Sequence, residues 1–264
     1  MQKNFWIIAN ETKQSQAIKN KLIEQIKKNK WILDEKSSNV IIIGGDGTFV
    51  NKFGKYCMDE HAKLILINTG FVGYYSSHLL ANIKNISKVF EQDKFFVQPK
   101  LTQIEINGKK TNALNDIVIQ ANNTISLDLH VNNILYENFR GTGICFSTPT
   151  GSTGYNKSLH GAIILNNDEI WQIAEIAPMF HAKYRSFGNS LILSKDDEVI
   201  IKNIKSTSNS FLIIDGVKKD NDILQKDLDI SVRLITSKAK IYFPNNQKEI
   251  IKNIRKVFIG ENHA

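Results

Sequence analysis

Asp46 stands between Gly44-Gly45 and Gly47, directly after the apolar run Val40-Ile41-Ile42-Ile43. Glycines let a backbone approach a phosphate closely and adopt positive φ. A helix starting here offers unpaired N–H groups to an anion. Ligands of open α/β sheets bind beyond the carboxyl ends of the strands, so Asp46 sits where chemistry is expected. The competing reading is a structural turn with Asp46 as helix N-cap. A second cluster, Ser147-Thr148-Pro149-Thr150-Gly151-Ser152-Thr153-Gly154-Tyr155-Asn156, gathers hydroxyls and glycines between two apolar stretches. Such a loop suits the polar groups of a ligand. Residues 151–158 approach the P-loop pattern through Gly151, Lys157 and Ser158, but Asn156 occupies the second glycine position. Asn115-Asp116, ahead of Ile117-Val118, sets an amide beside a carboxylate. That pair can hold two neighbouring hydroxyls, as on a ribose, although Asn-Asp is also a turn dipeptide.

The elements that must position these groups fall into two patterns. Residues 5–9, 40–43 and 63–67 are short, continuously apolar strands. Between them the spacing predicts helices over 12–29, with Ala17, Ile18, Leu22, Ile23 and Ile26 on one face, and over 48–58. A further helix is predicted over 77–90. Alternating strands and helices, with strands apolar on both faces, imply a parallel sheet covered by helices on both sides. The pattern changes near Pro99. Residues 101–106 precede Asn107-Gly108, a type I′ hairpin signal, and Asn132-Asn133 is another tight turn. Strands are expected at 117–120, 125–131, 134–136, 191–193, 199–201, 211–214, 228–235 and 240–243, with helical periodicity only over 158–175. The expected organisation is an α/β domain over 1–98, joined by the tail 245–264, and a β-rich domain over 99–244. The tail segment 247–259 reads equally as strand or helix.

Composition narrows the classes. The chain has 264 residues, 42% hydrophobic and 23% charged, near the globular average. No apolar run approaches the roughly 20 residues of a membrane span, and 1–13 lacks a signal-peptide pattern. Cys57 and Cys145 allow at most one bridge. A cytoplasmic setting is therefore expected. The net charge is +8, but it comes from scattered lysines, whereas sequence-reading domains lean on arginine. No nucleic-acid or membrane partner is expected; anionic substrates suit the positive field. The six histidines show no metal-ligand spacing and there is no Cys-x-x-Cys. No Gly-x-Ser-x-Gly elbow supports a serine hydrolase.

In this order, the motifs give the chain a strong family likeness. It resembles the NAD kinase family in its compact bacterial form, over nearly its whole length. The likeness rests on Gly44-Gly45-Asp46-Gly47-Thr48, Asn68-Thr69-Gly70-Phe71-Val72-Gly73-Tyr74, Leu114-Asn115-Asp116, Phe139-Arg140-Gly141 and the stretch 147–158. The related lipid kinases share Gly-Gly-Asp-Gly but look unlike 147–158. The resemblance implies phosphorylation of NAD at its adenosine-ribose 2′-hydroxyl, giving NADP, with ATP or polyphosphate as donor and a divalent ion such as Mg²⁺. It implies Asp46 as the catalytic acid, acting as base or orienting the hydroxyl. Asn115 and Asp116 match the pair on the ribose hydroxyls, Tyr74 an aromatic near the adenine, and Arg140 a residue facing the pyrophosphate. Thr150, Thr153, Gly154, Tyr155, Asn156, Lys157 and Ser158 match the dinucleotide-binding loop, and Ala177 the lining of the nucleotide site. Gly47 and Thr142 stand at nucleotide-contacting positions, and Asp215-Gly216 resembles a late turn of the family. A homodimer or homotetramer is implied. The sequence departs at Asp116, where glutamate is usual, at Thr142, where the family often has aspartate, and at Gly154, where alanine is common. Two alternatives accompany this reading: a lipid or sugar kinase of the same broad fold, and a dinucleotide sensor without catalysis.

Overall fold

The computed structural model describes residues 3–71, 73–75, 86–165, 168–181, 184–206, 209–219, 228, 230–243 and 247–260. The chain forms two compact units, Met1–Pro99 with Ser237–Ala264, and Lys100–Thr236.

In the first unit, strands β1 (Asn4–Ala9), β2 (Ile32–Leu33), β3 (Asn39–Gly44) and β4 (Lys63–Asn68) pair in parallel in the order β2-β1-β3-β4. Helix α1 (Lys13–Lys28) begins at Thr12, whose hydroxyl accepts the Ser15 N–H, a side-chain N-cap. Its Ile18, Leu22 and Ile26 recur every four residues and pack on Ile41, Ile43, Ile65 and Ile67, with Ile86, Val89 and Phe90 of α3 (Ile86–Phe90). Burying each such side chain stabilises by about 1.5–3 kcal/mol. Ala17, expected on this face, is exposed, and Ser15 is buried there instead, bonded to the Thr69 hydroxyl at 2.8 Å. The alternate residues Val40, Ile42, Leu64 and Leu66 point to the opposite face and are equally buried. Helix α2 (Asp46–Phe53) lies against β3 and β4 and buries Phe49, Val50 and Phe53. It is shorter than the expected 48–58 and starts earlier, because the chain turns into helix at Gly45 and leaves it at Gly54. Of the helix expected over 77–90, residues 77–85 lie outside the described residues.

One expected assignment is corrected. The strand Lys240–Tyr242, placed by the sequence in the β-rich domain, belongs to the first sheet. It pairs in parallel with β4 (Lys240 with Lys63) and antiparallel with β5 (Phe96–Val97). Ser237 anchors its approach by donating to the Cys57 carbonyl at 2.8 Å. The segment Gln247–Phe258 is a helix.

The second unit holds a ten-stranded sheet. Its strands are β6 (Lys100–Ile106), β7 (Lys109–Ala113), β8 (Asp116–Val131), β9 (Ile134–Ser147), β10 (Ile170–Ile176), β13 (Leu191–Ser194), β14 (Glu198–Ser206), β15 (Ser210–Ile214), β16 (Val217–Lys218) and β17 (Ile230–Thr236). The short pair β11 (Phe180–His181) and β12 (Tyr184–Arg185) stands apart from it. The main order is β13-β10-β9-β8-β14-β17-β6-β7, antiparallel throughout, with β15 paired to β8. Asn107 and Gly108 have φ of 50° and 74°, and Asn132 and Asn133 of 50° and 66°, as type I′ turns require. The two strands expected at 117–120 and 125–131 are one long β8 with a register irregularity between Gln120 and Ile125.

The helical periodicity expected over 158–175 is also corrected. The helix there, α4, is only Tyr155–Ser158, and residues 170–176 are strand β10, paired on both edges with β9 and β13. Trp171, Ile173, Ala174 and Ile176 are buried on both faces. The apolar positions 170, 171, 173, 174 and 176, broken by Gln172 and Glu175, fit helical spacing, and pairing on two edges decides for the strand.

Candidate functional site

The first cluster forms where β3 leaves the sheet. Gly45, in extended conformation, is the N-cap of α2, and no side chain caps it. Asp46 is therefore the first helical residue and not the cap. Its carboxylate turns to the loop after β4: Oδ2 accepts the Gly73 N–H at 2.8 Å and Oδ1 the Tyr75 N–H at 2.9 Å. That loop comes close because two glycines meet. A Cβ on Gly70 would lie 2.8 Å from the Gly45 Cα, nearer than two backbones bearing side chains allow. Thr69 also donates to the Gly44 carbonyl at 2.9 Å. Gly47 is exposed and has open space around it. Tyr74 packs edge-on against Tyr75, ring centroids 5.1 Å apart, and tilted against Phe243 at 6.1 Å. Burial, then the nearby Asp46, push its phenol up to about 12, so Tyr74 acts as a neutral hydroxyl donor.

The second cluster lies at the entry to β8. Asp215, in the left-handed region at φ 50°, turns its carboxylate back on residues 114–116. It accepts the N–H of Leu114 at 2.9 Å, Asn115 at 2.7 Å and Asp116 at 3.3 Å. Its own N–H donates to the Asp116 carbonyl at 3.0 Å. Thr148 fastens the other side: its N–H donates to the Asn115 carbonyl at 2.9 Å and its hydroxyl to the Leu114 carbonyl at 2.7 Å. The glycine loop then crosses directly over the pair. A Cβ on Gly151 would stand 2.0 Å from the Asn115 carbonyl oxygen. One on Gly154 would face the Asp116 Oδ2 at 3.7 Å and the Asn115 Nδ2 at 3.9 Å.

Asp116 is 5% exposed. Burial, then the Asp215 carboxylate, raise its carboxyl to about 7. Burial raises Asp215 to about 6, against the lowering effect of its three N–H donors. A carboxyl that titrates near neutrality can donate or accept a hydrogen bond to a ligand hydroxyl.

The structure thus brings Asn115, Asp116, Thr150, Gly151 and Gly154 together, with the Thr150 hydroxyl donating to the Leu114 carbonyl at 3.3 Å. Tyr155 is exposed at the start of α4, and its phenol is raised by burial, by Cys145 and by Asp116. Thr153 donates back to the Thr150 carbonyl, and Lys157 is half-buried in α4. Asn156 turns inward. It is fully buried, with its amide near the Ser152 and Ala162 carbonyls at 3.4 Å and against Gly161. Thr142 donates to the Ile176 carbonyl at 3.1 Å. Arg140 lays its guanidinium over the Tyr184 ring at 4.7 Å and donates to its hydroxyl at 3.0 Å. Its Nε is buried without a hydrogen-bond partner among the described residues. Ser158 and Ala177, the latter at φ 45°, share a cavity of about 350 Å³ with His160, Glu175, Gly188 and Asn189. Sequence reasoning missed Thr148 as a fastener and the weight carried by Asp215. An Asp-Gly pair after an apolar run signals a left-handed turn, but not that its carboxylate reaches back about 100 residues. Among the described residues, no group of three or more His, Cys, Asp or Glu is placed to hold a metal ion.

Residues 114–244 match the family model of the ATP-NAD kinase C-terminal domain. An NAD kinase of Ureaplasma parvum is 34% identical over 226 residues, spanning 85% of this chain and 82% of that one. An NAD kinase of Limosilactobacillus reuteri is 32% identical over 271 residues, spanning 97% and 98%. Among solved structures, yeast NADH kinase complexed with NADH superposes with a TM-score of 0.79 at 19% identity, covering 100% of this chain and 89% of that one. An NAD kinase from Archaeoglobus fulgidus in complex with ATP gives 0.74 at 18%, covering 96% and 98%. Both share the fold.

Proposed function

We infer the chemistry from one premise: this chain belongs to the NAD kinase family. It is a kinase that phosphorylates NAD. The acceptor is the 2′-hydroxyl of the adenosine ribose, and the product is NADP. The observation that carries this reading is the cradle at Asn115 and Asp116. Asp215 holds its backbone from one side, and the missing side chain of Gly154 leaves the space in front of its amide and carboxyl free of a Cβ. An amide beside a carboxyl, with a glycine in front of them, suits a pair of neighbouring hydroxyls. Membership of the family sets aside the lipid or sugar kinase, which rests on residues 44–47 alone.

Asp46 orients the hydroxyl or takes its proton. Each of its oxygens accepts one backbone N–H, and a carboxylate has about four acceptor positions, so each oxygen retains one for the substrate. The N–H bonds fix the direction of the carboxylate. Phosphoryl transfer depends mainly on positioning and charge neutralisation. Mg²⁺ enters as MgATP, a substrate held largely through its own phosphates; the described acids form no metal cage of their own. ATP is the donor we propose, with polyphosphate as the alternative to assay. The adenine end meets Tyr74, the pyrophosphate Arg140, and the remainder of the dinucleotide Thr150, Thr153, Gly154, Tyr155, Lys157, Ser158 and Ala177; Asn156, buried and turned inward, holds the loop instead. A cytoplasmic setting suits the two free, buried cysteines Cys57 and Cys145. A homodimer or homotetramer fits the exposed Phe180, Phe187 and Ile192, and light scattering measures it.

The test is NADP formation from NAD and MgATP by wild type and Asp46→Asn. The expected loss is about 10²–10⁴-fold in kcat, with the NAD Kd little changed. An asparagine there keeps one backbone acceptor and sets an amide against the other N–H, so NAD binding by calorimetry must accompany the rates. Wild type that binds NAD but forms no NADP would favour the sensor, with Thr142 and Asp116 as its cause.

A further inference from the structure

Two acids outside this machinery lie in the second unit. Glu137 on β9 is 6% exposed, and Glu175 on β10 lines the cavity that holds Ser158 and Ala177. Glu137 Oε2 accepts the Phe187 N–H at 3.1 Å, and Glu175 Oε2 accepts the Gly188 N–H at 3.0 Å. The N–H groups of two consecutive residues thus end on the two carboxyls, which brings the carboxyls close together. Glu175 Oε1 is buried, and no N–H or neutral hydroxyl among the described residues reaches it. A carboxyl-to-carboxylate bond needs a proton on one partner, and a proton on Glu137 supplies the donor that Oε1 lacks. The segment they grip has little freedom. Gly188 is at φ 71° with the Phe180 ring against it, and the Phe187 ring stacks on Tyr136 at 4.5 Å.

We propose that Glu137 and Glu175 share one proton and as a pair tie residues 187–188 into the cavity wall, acting as positioning residues for the dinucleotide. This rests on the reading above that Ser158 and Ala177 contact the dinucleotide. Losing the proton leaves two like charges in contact, and their separation pulls on both backbone N–H groups. Burial, then Glu175, push Glu137 up to about 8, and Glu175 is raised chiefly by burial. The raised value means that the fold favours the protonated form. Its stabilisation is complete below the unfolded value near 4.5 and is lost as pH rises through about 8. Among the described residues, the Tyr136 phenol, itself raised, and His160 in the cavity lining also face the pair. Arg140, three residues along β9, has its guanidinium on Tyr184.

The experiment follows KM and kcat for NAD from pH 6 to 9.5, together with hydrogen exchange of residues 186–190 corrected for its intrinsic pH dependence. Wild type should raise KM up to about tenfold between pH 7.5 and 9, the range of one ionisation near 8, while kcat holds. Protection at 186–190 should fall over the same interval. Glu137→Gln stays neutral, and its amide still donates to Glu175, so both curves should flatten; if it does not fold, Glu175→Gln should flatten them likewise. An unchanged alkaline rise in either folded variant overturns the proposal, as does wild-type protection that stays constant to pH 9.5. Falling protection with a flat KM overturns the positioning role. If wild type makes no NADP at pH 7, the functional reading has failed, while the exchange data still judge the pair.

Discussion

Asp46 and Asp116 are the same residue type, each beside a glycine-rich loop, but their surroundings differ in kind. Asp46 is half-buried at the start of α2, with one backbone N–H on each oxygen. Asp116 lies beneath the loop 151–154, and its dominant charged neighbour is Asp215, another carboxylate. The first site fixes where an acceptor points. The second holds a carboxyl at the balance between its protonated and ionised forms. A shorter side chain than glutamate therefore does not leave Asp116 idle. Pulled back under the loop, it acquires a titration that a solvent-facing acid would lack.

The comparison breaks most sharply at Gly151. In Gly151→Ala the added methyl meets a backbone oxygen that cannot swing aside. Overpacking of this kind costs about 1–3 kcal/mol, and an ångström of misplacement can cost about 10²-fold in rate. We expect kcat/KM for NAD to fall by about 10²-fold, with calorimetry showing weaker NAD binding. A variant with wild-type NAD affinity would remove the cradle from the ribose.

Asp215→Asn should make Asp116 more like an ordinary aspartate. Losing the Leu114 bond costs about 1–3 kcal/mol, readable as a lower Tm. The titration gives a more specific signal. Asp116 binds hydroxyls more strongly when ionised, so wild-type NAD affinity should improve as pH rises through about 7. Without the Asp215 charge the Asp116 value falls, and this acid limb should move to lower pH. The sign for stability is opposite. Both acids are raised, so their stabilising contribution is complete below the usual carboxylate range and is lost as pH rises through about 6 and 7. An acid limb that stays in place in Asp215→Asn would show that Asp116 does not set it.

The smallest effect belongs to the exposed side. Gly47 is helical and surrounded by open space, so Gly47→Ala should stabilise by about 0.4–1 kcal/mol in thermal melts. A loss of NADP formation despite that gain would mean that the substrate passes over its Cα.

Much of this was legible in the residues. Val40 to Gly47 announces a buried strand, a glycine turn and an acid, and the structure has β3, Gly45 and Asp46 in that sequence. Asn107-Gly108 and Asn132-Asn133 announce their hairpins because few residues tolerate positive φ. The failures share a cause. Residues 170–176 space their apolar side chains as a helix would, and only the two neighbouring strands that claim their edges make them a strand. Lys240–Tyr242 reads as one more strand of the β-rich run, and only pairing with Lys63 and Leu64 assigns it to the other sheet. Glu137 and Glu175 lie 38 positions apart and become a pair only through the fold. Local rules report local structure; these contacts are long-range.

The position of Lys240–Tyr242 also orders events in time. The strand fills the space between β4 and β5, so a ribosome delivers β4 long before the neighbour that completes its edge. Domains generally fold as units while the chain emerges, and the continuous stretch Lys100–Thr236 is available in full before the interrupted unit is. The nascent sheet waits with an open edge through the synthesis of the whole insert, and unpaired edges invite association with other chains. The acid turn is thus part of the half of the molecule that matures last, and a stalled or truncated chain would present a finished β unit beside a sheet still missing a strand.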